Sequence, residues 1–271
     1  MDNRLQDKVA LTTGGTSGIG EATVDLFARH GAYVVVVGRD QARGEAIAAR
    51  HGERARFIRA DVSSEAGIKT AVDGTVTAFG RLDILFNNAG GPTKGGIEDI
   101  TTEDFRAGMD LLLGSVIFGM KHAVPHMKAK GWGRIINNAS IAGHRGDMGQ
   151  YLYSAAKAAV AHITRMAGLE LARHGITVNA ISPGGIATPI FYGGSQVADT
   201  LEAAHNEAKM RKLTANLAHA TPSLRSGHPI DIANAALFLA SDEGAFVNCH
   251  DLVVDAGMIA GGRTYYGAKP A

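Results

Sequence analysis

The chain has 271 residues, with 27 lysines and arginines against 26 aspartates and glutamates, so its formal net charge is +1. This balance excludes a polyelectrolyte role, such as binding nucleic acid through a basic surface. Hydrophobic residues make up 45% of the chain, which is enough for a full core and excludes a disordered protein. Because α/β sheets covered by helices on both faces reach about 250 residues as one unit, we expect a single domain over residues 1–271.

Cysteine usage and the start of the chain indicate a reducing compartment. The one cysteine, Cys249, cannot form an internal disulfide, and the first residues lack a basic stretch followed by an apolar one. We therefore expect a cytoplasmic protein. The longest apolar stretch, 111–120, is shorter than the ~20 residues of a membrane span, so no membrane association is expected. The histidines show no metal-ligand arrangement backed by cysteines, so we expect no metal.

Short β-branched segments alternate with longer helical patterns, which predicts βαβ units and a parallel sheet. Several segments are apolar at every position, as strands must be when helices cover both faces of the sheet. The predicted strands are 8–13, 33–37, 55–59, 84–86, 134–137, 177–181 and 252–254. Helical patterns lie between them, among them 21–31 and 151–174, and each ends near a glycine. The predicted fold is a single doubly wound α/β domain with about seven parallel strands.

An irregular segment, residues 189–227, follows the sixth predicted strand. It contains a Gly-Gly turn, then a helical pattern rich in alanine, glutamate and lysine, then an exit with proline and serine. An insertion of this length in a compact fold is often a lid over a binding site. We therefore expect a lid-like insertion here.

A glycine-rich segment, Thr13-Gly14-Gly15-Thr16-Ser17-Gly18-Ile19-Gly20, follows the first predicted strand and opens a helix. Glycine lets the backbone approach a pyrophosphate, and a helix N-terminus presents free N–H groups and the positive end of its dipole. The spacing, Gly-x-x-x-Gly-x-Gly, differs from the Gly-x-Gly-x-x-Gly of the usual dinucleotide fingerprint. The segment predicts a phosphate-binding loop of a particular protein family.

Three residues carry acid–base chemistry: Ser140 after the fifth predicted strand, then Tyr153, then Lys157 four residues further. Positions i and i+4 share a helix face, so the ammonium of Lys157 is expected beside the phenol of Tyr153. A neighbouring cation favours the phenolate, so we expect Lys157 to lower the pKa of Tyr153 from its ordinary value of about 10 and to make it a proton donor and acceptor near neutral pH. Ser140 is placed to donate a hydrogen bond to a carbonyl oxygen of a substrate.

Together these motifs resemble the short-chain dehydrogenase/reductase family over essentially the whole chain. Asp61-Val62 after the third predicted strand, Asn87-Asn88-Ala89-Gly90 after the fourth and Pro183-Gly184 after the sixth stand in the family's order. The resemblance implies hydride transfer between a nicotinamide cofactor and an alcohol or carbonyl carbon, as in the interconversion of a secondary alcohol and a ketone.

By this resemblance, Tyr153 is the general acid/base, Ser140 positions the substrate oxygen, and Lys157 also holds the nicotinamide ribose. Asp61 and Val62 would frame the adenine. The residues implied in cofactor binding are Gly14, Thr16, Ser17, Gly18, Ile19, Gly20, Arg39, Asp61, Val62, Asn88, Ala89, Gly90, Tyr153, Lys157, Pro183, Gly184, Ile186 and Thr188.

One position departs from the family pattern. The family usually has an asparagine in the helix after Asn-Asn-Ala-Gly, 28 residues before the serine, and here that position is Leu112. Leucine can neither hold a water molecule nor relay a proton. We expect Ser115 or a backbone carbonyl to hold the relay water instead. The alternatives are a weakened nucleotide-binding sensor protein and a non-redox epimerase or lyase on the same scaffold.

The end of the second predicted strand bears on the choice of cofactor. Family members that prefer NAD usually have an acidic residue where Gly38 stands, and those that prefer NADP often have arginine directly after it, as Arg39 stands here. Because a guanidinium pairs well with a 2′-phosphate, we expect NADP rather than NAD. The alternatives are that Arg39 stacks on the adenine, or that Asp40 reaches the ribose and favours NAD.

The expected substrate is a small-molecule alcohol or ketone, with His144 and Tyr192 as candidate contacts. Further candidates for apolar walls, or for ordinary packing, are Phe191, Met210, Tyr265 and Tyr266. Two long helical segments, 102–130 and 151–174, carry apolar residues in addition to core positions. In the family these helices pair with their counterparts in another subunit, so the resemblance implies a homodimer or homotetramer.

Overall fold

The computed structural model describes residues 3–261. Over these residues seven parallel strands form one sheet: β1 (Val9–Thr13), β2 (Tyr33–Gly38), β3 (Ala55–Arg59), β4 (Ile84–Asn87), β5 (Gly133–Asn138), β6 (Ile176–Pro183) and β7 (Asp251–Val254). Their order across the sheet is β3-β2-β1-β4-β5-β6-β7. Each strand coincides with a predicted one, and the order reverses between β1 and β4, which confirms the doubly wound α/β fold.

Helices cover both faces of the sheet. They are α1 (Gly18–Arg29), α2 (Gln41–Ala49), α3 (Glu65–Phe79), α4 (Thr102–Met109), α5 (Ser115–Lys130), α6 (Tyr151–Leu171), α7 (Ser195–Asp199), α8 (Ala203–Ala220) and α9 (Pro229–Ala240). One buried cluster contains side chains of α1, α2 and α9, and the other contains side chains of α3, α5 and α6. In β2, Val34 and Val36 face the first cluster whereas Val35 and Val37 face the second. Burial on both faces thus explains why this strand is apolar throughout.

The loops that follow β1 and β4 meet at the carboxyl edge of the sheet. The two strands pair directly, with Thr12 opposite Phe86. The hydroxyl of Thr13 accepts hydrogen bonds from the amides of Asn88 and Ala89, both at 3.0 Å. These bonds fix the two loops against each other at the point where the strand order reverses.

The helical segment predicted over 102–130 contains a π turn. Between α4 and α5, at Asp110–Gly114, the amide of Ser115 bonds to the carbonyl of Asp110, five residues back. The carbonyl of Leu111 accepts instead from the hydroxyl of Ser115, at 2.6 Å. Leu112 lies within this turn and is buried. The departure from the family pattern therefore lies at a local irregularity of the helix.

By length and composition alone, the helical segment Thr102–Lys130 is apolar enough to cross a membrane. The core helix of a soluble protein passes the same test. Here α5 packs against α3, β4 and β5, and Val116, Met120 and Ala123 contribute to the core. Packing against the sheet accounts for the apolar composition of the segment.

The insertion between β6 and α9 leaves and rejoins the domain at one place. Ile186 and Gly227 form a parallel bridge, and the amide of Ala187 donates to the carbonyl of Gly227 at 2.9 Å. Between these ends lie the short turn Pro189–Tyr192, then α7 and α8. The buried residue of α8 is Leu217, so most of this helix is at least partly exposed. The two ends of the insertion therefore lie side by side, and its role as a lid stays a prediction.

Candidate active site

A cleft of about 640 Å³ opens at the carboxyl edge of the sheet, where the strand order reverses. In open α/β sheets, ligands bind at this switch point. The walls come from the loops after β1, β2, β3 and β4, from α6 and from the insertion. Predicted site residues that line it are Gly14, Thr16, Ser17, Gly18, Ile19, Arg39, Asp61, Val62, Asn88, Ala89, Gly90, Tyr153, Lys157 and Thr188. The structure thus brings most of the predicted cofactor residues into one cleft.

The turn between β1 and α1 brings two backbone segments into close contact. Gly14 has a φ of +63°, and a Cβ there would lie 2.9 Å from the Cα of Ala89. A Cβ on Gly20 would lie 2.1 Å from the carbonyl oxygen of Gly14. Ser17, at the N-cap of α1, makes no capping hydrogen bond with its side chain. The turn therefore needs glycine, and the start of α1 presents amides and a positive dipole end that suit a pyrophosphate.

Two asparagines connect this turn to the centre of the cleft. The Nδ2 of Asn88 donates to the carbonyls of Thr13 and Gly14, at 3.0 and 3.3 Å, which fixes the orientation of its amide. The Oδ1 of Asn88 therefore accepts from the Nδ2 of Asn138, at 2.9 Å. The Oδ1 of Asn138 is left buried without a partner among the described residues, and Asn138 lines the cleft. An unpaired acceptor in this wall fits a ligand that carries hydroxyl groups.

Helix α6 places Tyr153 and Lys157 on one face, as their spacing predicts. The Nζ of Lys157 lies 5.6 Å from the centre of the Tyr153 ring and donates to the backbone carbonyl of Asn138 at 2.6 Å. Ser140 lies near enough to Tyr153 to oppose part of the rise in the pKa of its phenol, and the Oγ of Ser140 accepts from the amide of Ala142 at 3.1 Å. The three predicted catalytic side chains therefore meet at one end of the cleft.

Burial controls the ionisation of Tyr153 and Lys157. It raises the pKa of the Tyr153 phenol, an effect opposed by the smaller influence of the hydrogen bond with Ser140. Burial also lowers the pKa of Lys157 to about 8. Each group is shifted toward its neutral form because both are removed from water. The prediction that Lys157 lowers the pKa of Tyr153 below its ordinary value is therefore wrong for the protein without a bound cofactor.

Leu112 is buried near Lys157 and does not line the cleft, whereas its neighbour Leu111 does. A Cβ built on Gly90 would lie 3.4 Å from the Cδ2 of Leu112 and 3.9 Å from the Nζ of Lys157, so both side chains approach the same point. The hydroxyl proton of Ser115 is directed to the carbonyl of Leu111 in its own helix. In this state Ser115 could hold a water molecule only by accepting from it, and the predicted relay through Ser115 stays a prediction.

The other end of the cleft is rich in arginine. The side chains that line it there include Arg39, Arg43 and Arg59. A Cβ on Gly38 would lie 2.6 Å from the Cγ2 of Thr16, so an acidic side chain at position 38 would displace Thr16. Asp40 caps α2, with its Oδ1 accepting from the amide of Arg43 at 3.0 Å. Positive side chains beside a helix N-terminus suit a phosphate group.

Asp61 lies at this end as well and has local partners. Its Oδ1 accepts from the amide of Ser63 at 3.0 Å and from the hydroxyl of Ser63 at 2.8 Å. These two hydrogen bonds, the first being the larger effect, hold the pKa of Asp61 below its usual value, with a further contribution from the charge of Arg39. Asp61 is therefore a fixed carboxylate in the wall next to Val62.

Comparison of the sequence with known protein families identifies the family to which this cleft belongs. The profile of the family described as enoyl-(acyl carrier protein) reductase matches residues 14–259, from the glycine turn to beyond β7. The chain belongs to the short-chain dehydrogenase/reductase family. The match confirms the resemblance seen in the sequence, and the protein is an oxidoreductase of this family.

Curated relatives match over nearly the full length of this short-chain dehydrogenase/reductase. The sex determination protein tasselseed-2 of Zea mays is 40% identical over 95% of this chain and 83% of its own. Secoisolariciresinol dehydrogenase of Forsythia intermedia is 38% identical over 94% of this chain and 90% of its own. The NADP-dependent (R)-specific alcohol dehydrogenase of Lentilactobacillus kefiri is 39% identical over 96% of this chain and 100% of its own.

Short-chain dehydrogenases/reductases use NAD or NADP, and the cleft fits such a dinucleotide. The glycine turn borders the cleft, and a Cβ at Gly14 or Gly20 would disturb its packing against Asn88 and Ala89. The N-terminus of α1 faces the site of a pyrophosphate, and the unpaired Oδ1 of Asn138 offers an acceptor to a ribose hydroxyl. Lys157 uses one of the three donors of its ammonium on Asn138 and has others for the same ribose.

Some predicted residues lie outside the cleft lining, namely Gly20, Ser140, His144, Pro183, Gly184, Ile186 and Tyr192. Gly20 contacts Gly14 of the glycine turn, and Ser140 lies beside Tyr153, which does line the cleft. Pro183 ends β6, and a Cβ on the neighbouring Gly184 would lie 2.6 Å from the Cβ of Asp255. Ile186 lies where the insertion leaves the domain. The predicted cofactor contacts of these residues stay predictions.

The two candidate substrate residues have other partners in this short-chain dehydrogenase/reductase. The Nε2 of His144 lies 2.9 Å from Asp251 and 3.2 Å from the hydroxyl of Ser182, which attaches the loop after β5 to β6 and β7. The hydroxyl of Tyr192 donates to the Oδ1 of Asn206 at 2.8 Å. The predicted substrate contacts of His144 and Tyr192 stay predictions. The candidates Tyr265 and Tyr266 lie outside the described residues.

Sequence reasoning missed several cleft residues: Arg43, Arg59, Asn138 and Asp199. Three of them had a usable signal. Arg59 and Asn138 end the third and fifth strands, at the carboxyl edge where ligands bind, and Arg43 lies one helical turn after the capping Asp40. Asp199 had none, because only the tertiary path of the insertion brings it to the cleft. Over residues 3–261, no group of three or more histidines, cysteines and carboxylates is placed to hold a metal ion.

Proposed function

We propose that this protein interconverts a secondary alcohol and a ketone and prefers NADP to NAD. The observation that carries the proposal is the meeting of Ser140, Tyr153 and Lys157 at one end of a cleft that fits a dinucleotide. A bound nicotinamide cofactor supplies the hydride acceptor or donor and, when oxidised, a positive charge on its ring. The names of two relatives, an alcohol dehydrogenase and secoisolariciresinol dehydrogenase, support an alcohol as substrate.

Tyr153 is the proposed general acid/base. Because burial raises the pKa of its phenol, Tyr153 holds its proton at neutral pH and is ready to donate it to a ketone oxygen. In the direction of alcohol oxidation the phenol must first lose that proton, which nearby positive charge favours. Ser140, within hydrogen-bond reach of Tyr153, would direct the substrate oxygen toward the phenol. The ammonium of Lys157, protonated below a pH of about 8, would hold the nicotinamide ribose.

The proposed preference for NADP rests on the arginine-rich end of the cleft. Arg39 directly follows Gly38, where the contact with Thr16 leaves no room for an acidic side chain. The carboxylate of Asp40 accepts a hydrogen bond at the start of α2, which makes it less available to a free 2′-hydroxyl of the ribose. This favours a 2′-phosphate over a 2′-hydroxyl at this end of the cleft. Initial rates with NADP and NAD at equal concentration test this choice. A higher kcat/KM with NAD would contradict it.

We further propose a homodimer or homotetramer in the cytoplasm. Exposed apolar side chains on α4 and α6 support an interface between copies; they include Phe105, Tyr151, Met166 and Leu169, of which Leu169 is 76% exposed. Large exposed apolar groups in one region are typical of interaction surfaces. Sedimentation equilibrium tests the oligomeric state, and a monomer at micromolar concentration would contradict it.

Replacing the phenol tests the proposed reaction. In Tyr153→Phe, NADP binding should be retained while turnover of a panel of secondary alcohols and ketones, followed at 340 nm, falls by about a hundredfold or more because the proton donor is lost. Tyr151→Phe, two residues away on an exposed side chain, is the matched control and should turn over normally. Normal turnover in Tyr153→Phe would remove Tyr153 from the mechanism.

Leu112 favours a second candidate function, a nucleotide-binding protein with weakened catalysis. Its apolar side chain approaches the same point as Lys157, and the nearby hydroxyl of Ser115 is bonded within its own helix. Leu112→Asn distinguishes the two functions. If the unsubstituted protein binds NADP but turns over no member of the panel, and Leu112→Asn does, the weakened protein is the correct description.

A further inference from the structure

Arg43 and Asp199 form an ion pair across the end of the cleft that the proposed function assigns to the adenosine ribose. Arg43 belongs to α2 and Asp199 ends α7, 156 residues later, and their nitrogen and oxygen atoms lie 2.6 Å apart. Both residues line the cleft. Their side chains are 37% and 38% exposed. The pair therefore connects the insertion to the opposite wall at a place that water reaches.

Asp199 is the last residue of α7, a short helix of the insertion that follows two glycines. Gly193 and Gly194 precede α7 with φ values of +107° and +85°, conformations that glycine adopts and other residues rarely do. Helix α7 packs mainly against the short turn Pro189–Tyr192, which belongs to the same insertion. The bond to Arg43 therefore joins the end of α7 to an element outside the insertion.

Among the charged groups at this end of the cleft, Asp199 neutralises an arginine side chain. The cationic residues that line it are Arg39, Arg43 and Arg59, and the acidic ones are Asp40, Asp61 and Asp199. Asp40 accepts from the backbone amide of Arg43, and Asp61 accepts from Ser63. Within residues 3–261 the guanidinium groups of Arg39 and Arg59 have neither a hydrogen bond nor an ion pair within 4.0 Å, although the charge of Arg39 helps to lower the pKa of Asp61. Of the three guanidinium groups, that of Arg43 is bonded to a carboxylate.

We propose that Asp199 is a specificity residue that limits the preference of the cleft for 2′-phosphorylated nucleotides, because it occupies the guanidinium group that a 2′-phosphate would engage. This proposal rests on the proposed function, since it concerns the same nucleotide site. An arginine binds a phosphate through two parallel N–H donors, and a phosphate that uses the edge of Arg43 containing Nη2 competes there with Asp199. A nucleotide without the 2′-phosphate does not compete with Asp199 for Arg43.

The exposure of the pair determines the size of the effect. Ion pairs that water reaches contribute little net free energy, so a 2′-phosphate, with nearly two negative charges, is able to displace Asp199. The displaced carboxylate nevertheless remains near the phosphate and repels it. Removing the charge of Asp199 should therefore strengthen binding of a nucleotide that carries a 2′-phosphate by about three- to tenfold. Binding of a nucleotide without the 2′-phosphate should change by less than about twofold.

Calorimetry on the full chain at low ionic strength tests this inference without any turnover. The probes are adenosine 2′,5′-bisphosphate and adenosine 5′-monophosphate, which differ by the 2′-phosphate. Asp199→Asn should raise the ratio of their affinities by about three- to tenfold, whereas Arg43→Gln should lower it by about tenfold. When Asp199→Asn is combined with Arg43→Gln, it should raise the ratio of affinities by less than it does alone, because its effect depends on the guanidinium group of Arg43. Glu207→Gln, which removes a carboxylate from an exposed pair on α8, is the matched control.

Each other outcome is informative. If Asp199→Asn leaves the ratio unchanged, or changes both affinities equally, the ion pair merely ties the insertion to α2 and the inference is wrong, whereas the proposed function stands. If Glu207→Gln raises the ratio as much as Asp199→Asn does, the effect is one of net charge and the assignment to Asp199 is wrong. If neither nucleotide binds to the unsubstituted protein, the proposed function itself is refuted.

Discussion

The buried amine of Lys157 should make the stability of the protein depend on pH in a way that Lys157→Met removes. Burial lowers the pKa of Lys157 from 10.5 to about 8, so the folded state binds the proton more weakly than the unfolded state does. Below pH 8 folding carries the full cost of burying the ammonium. Between pH 8 and pH 10.5 the folded state has released its proton while the unfolded state still holds it, so this cost disappears.

The shift in pKa sets the expected magnitude. At 1.36 kcal/mol per pKa unit, it corresponds to about 3 kcal/mol when both states are protonated, of which about 2 to 3 kcal/mol should be recovered between pH 7 and pH 10. Lys157→Met removes this dependence along with the hydrogen bond to Asn138. The difference between the two proteins isolates the amine, because the other titrating groups are common to both.

Urea unfolding at four or five pH values from 7 to 10 measures the effect. The free energy of unfolding of the unsubstituted protein should rise relative to that of Lys157→Met by about 2 to 3 kcal/mol over this range. Lys212→Met, which removes an exposed amine of α8, is the matched control for the loss of a lysine. Parallel curves for the unsubstituted protein and Lys157→Met would refute the argument that Lys157 is desolvated.

Three further substitutions test the cleft and its supports. Gly20→Ala should weaken NADP binding by about tenfold or more, since its Cβ would lie 2.1 Å from the carbonyl oxygen of Gly14 and force the turn apart; calorimetry showing an unaltered Kd would contradict this. Asn138→Leu should also weaken NADP binding, by about tenfold, through loss of a buried acceptor; the same affinity as the unsubstituted protein would mean that the unpaired Oδ1 serves no ligand. Thr101→Ala should lower the free energy of unfolding by about 1 kcal/mol, because Thr101 caps α4 by accepting from the amide of Asp104 at 3.0 Å; an unchanged urea midpoint would contradict it.

The fold could be predicted from the sequence because its signals are local and repeated. Each buried strand is a short β-branched run, and β2, with four consecutive valines, is apolar because both its faces are covered. The π turn at Asp110–Gly114 was not predicted, because Asp110 and Ser115 are residue types that also occur in regular helices. It depends on a tertiary arrangement in which the hydroxyl of Ser115 satisfies the carbonyl of Leu111.

The site was predicted in part, and what the sequence missed has a common cause. Residues that follow the ends of parallel strands converge by topology alone, which explains why Gly14, Asp61 and Asn88 could be placed in one cleft. The ionisation of Tyr153 could not be predicted, because the spacing of four residues gives its distance from Lys157 but says nothing of how deeply both are buried. The contact between Arg43 and Asp199 depends in the same way on the path of the insertion.

The central claim is that one cleft holds NADP with its reactive ring beside Ser140, Tyr153 and Lys157. A crystal structure of the protein grown with NADP measures this directly. The account predicts the pyrophosphate on the turn of Gly14 to Gly20, the 2′-phosphate beside Arg39, and the nicotinamide ring within reach of the Tyr153 hydroxyl. A dinucleotide bound elsewhere, or bound in this cleft with its nicotinamide ring away from Tyr153, would contradict it.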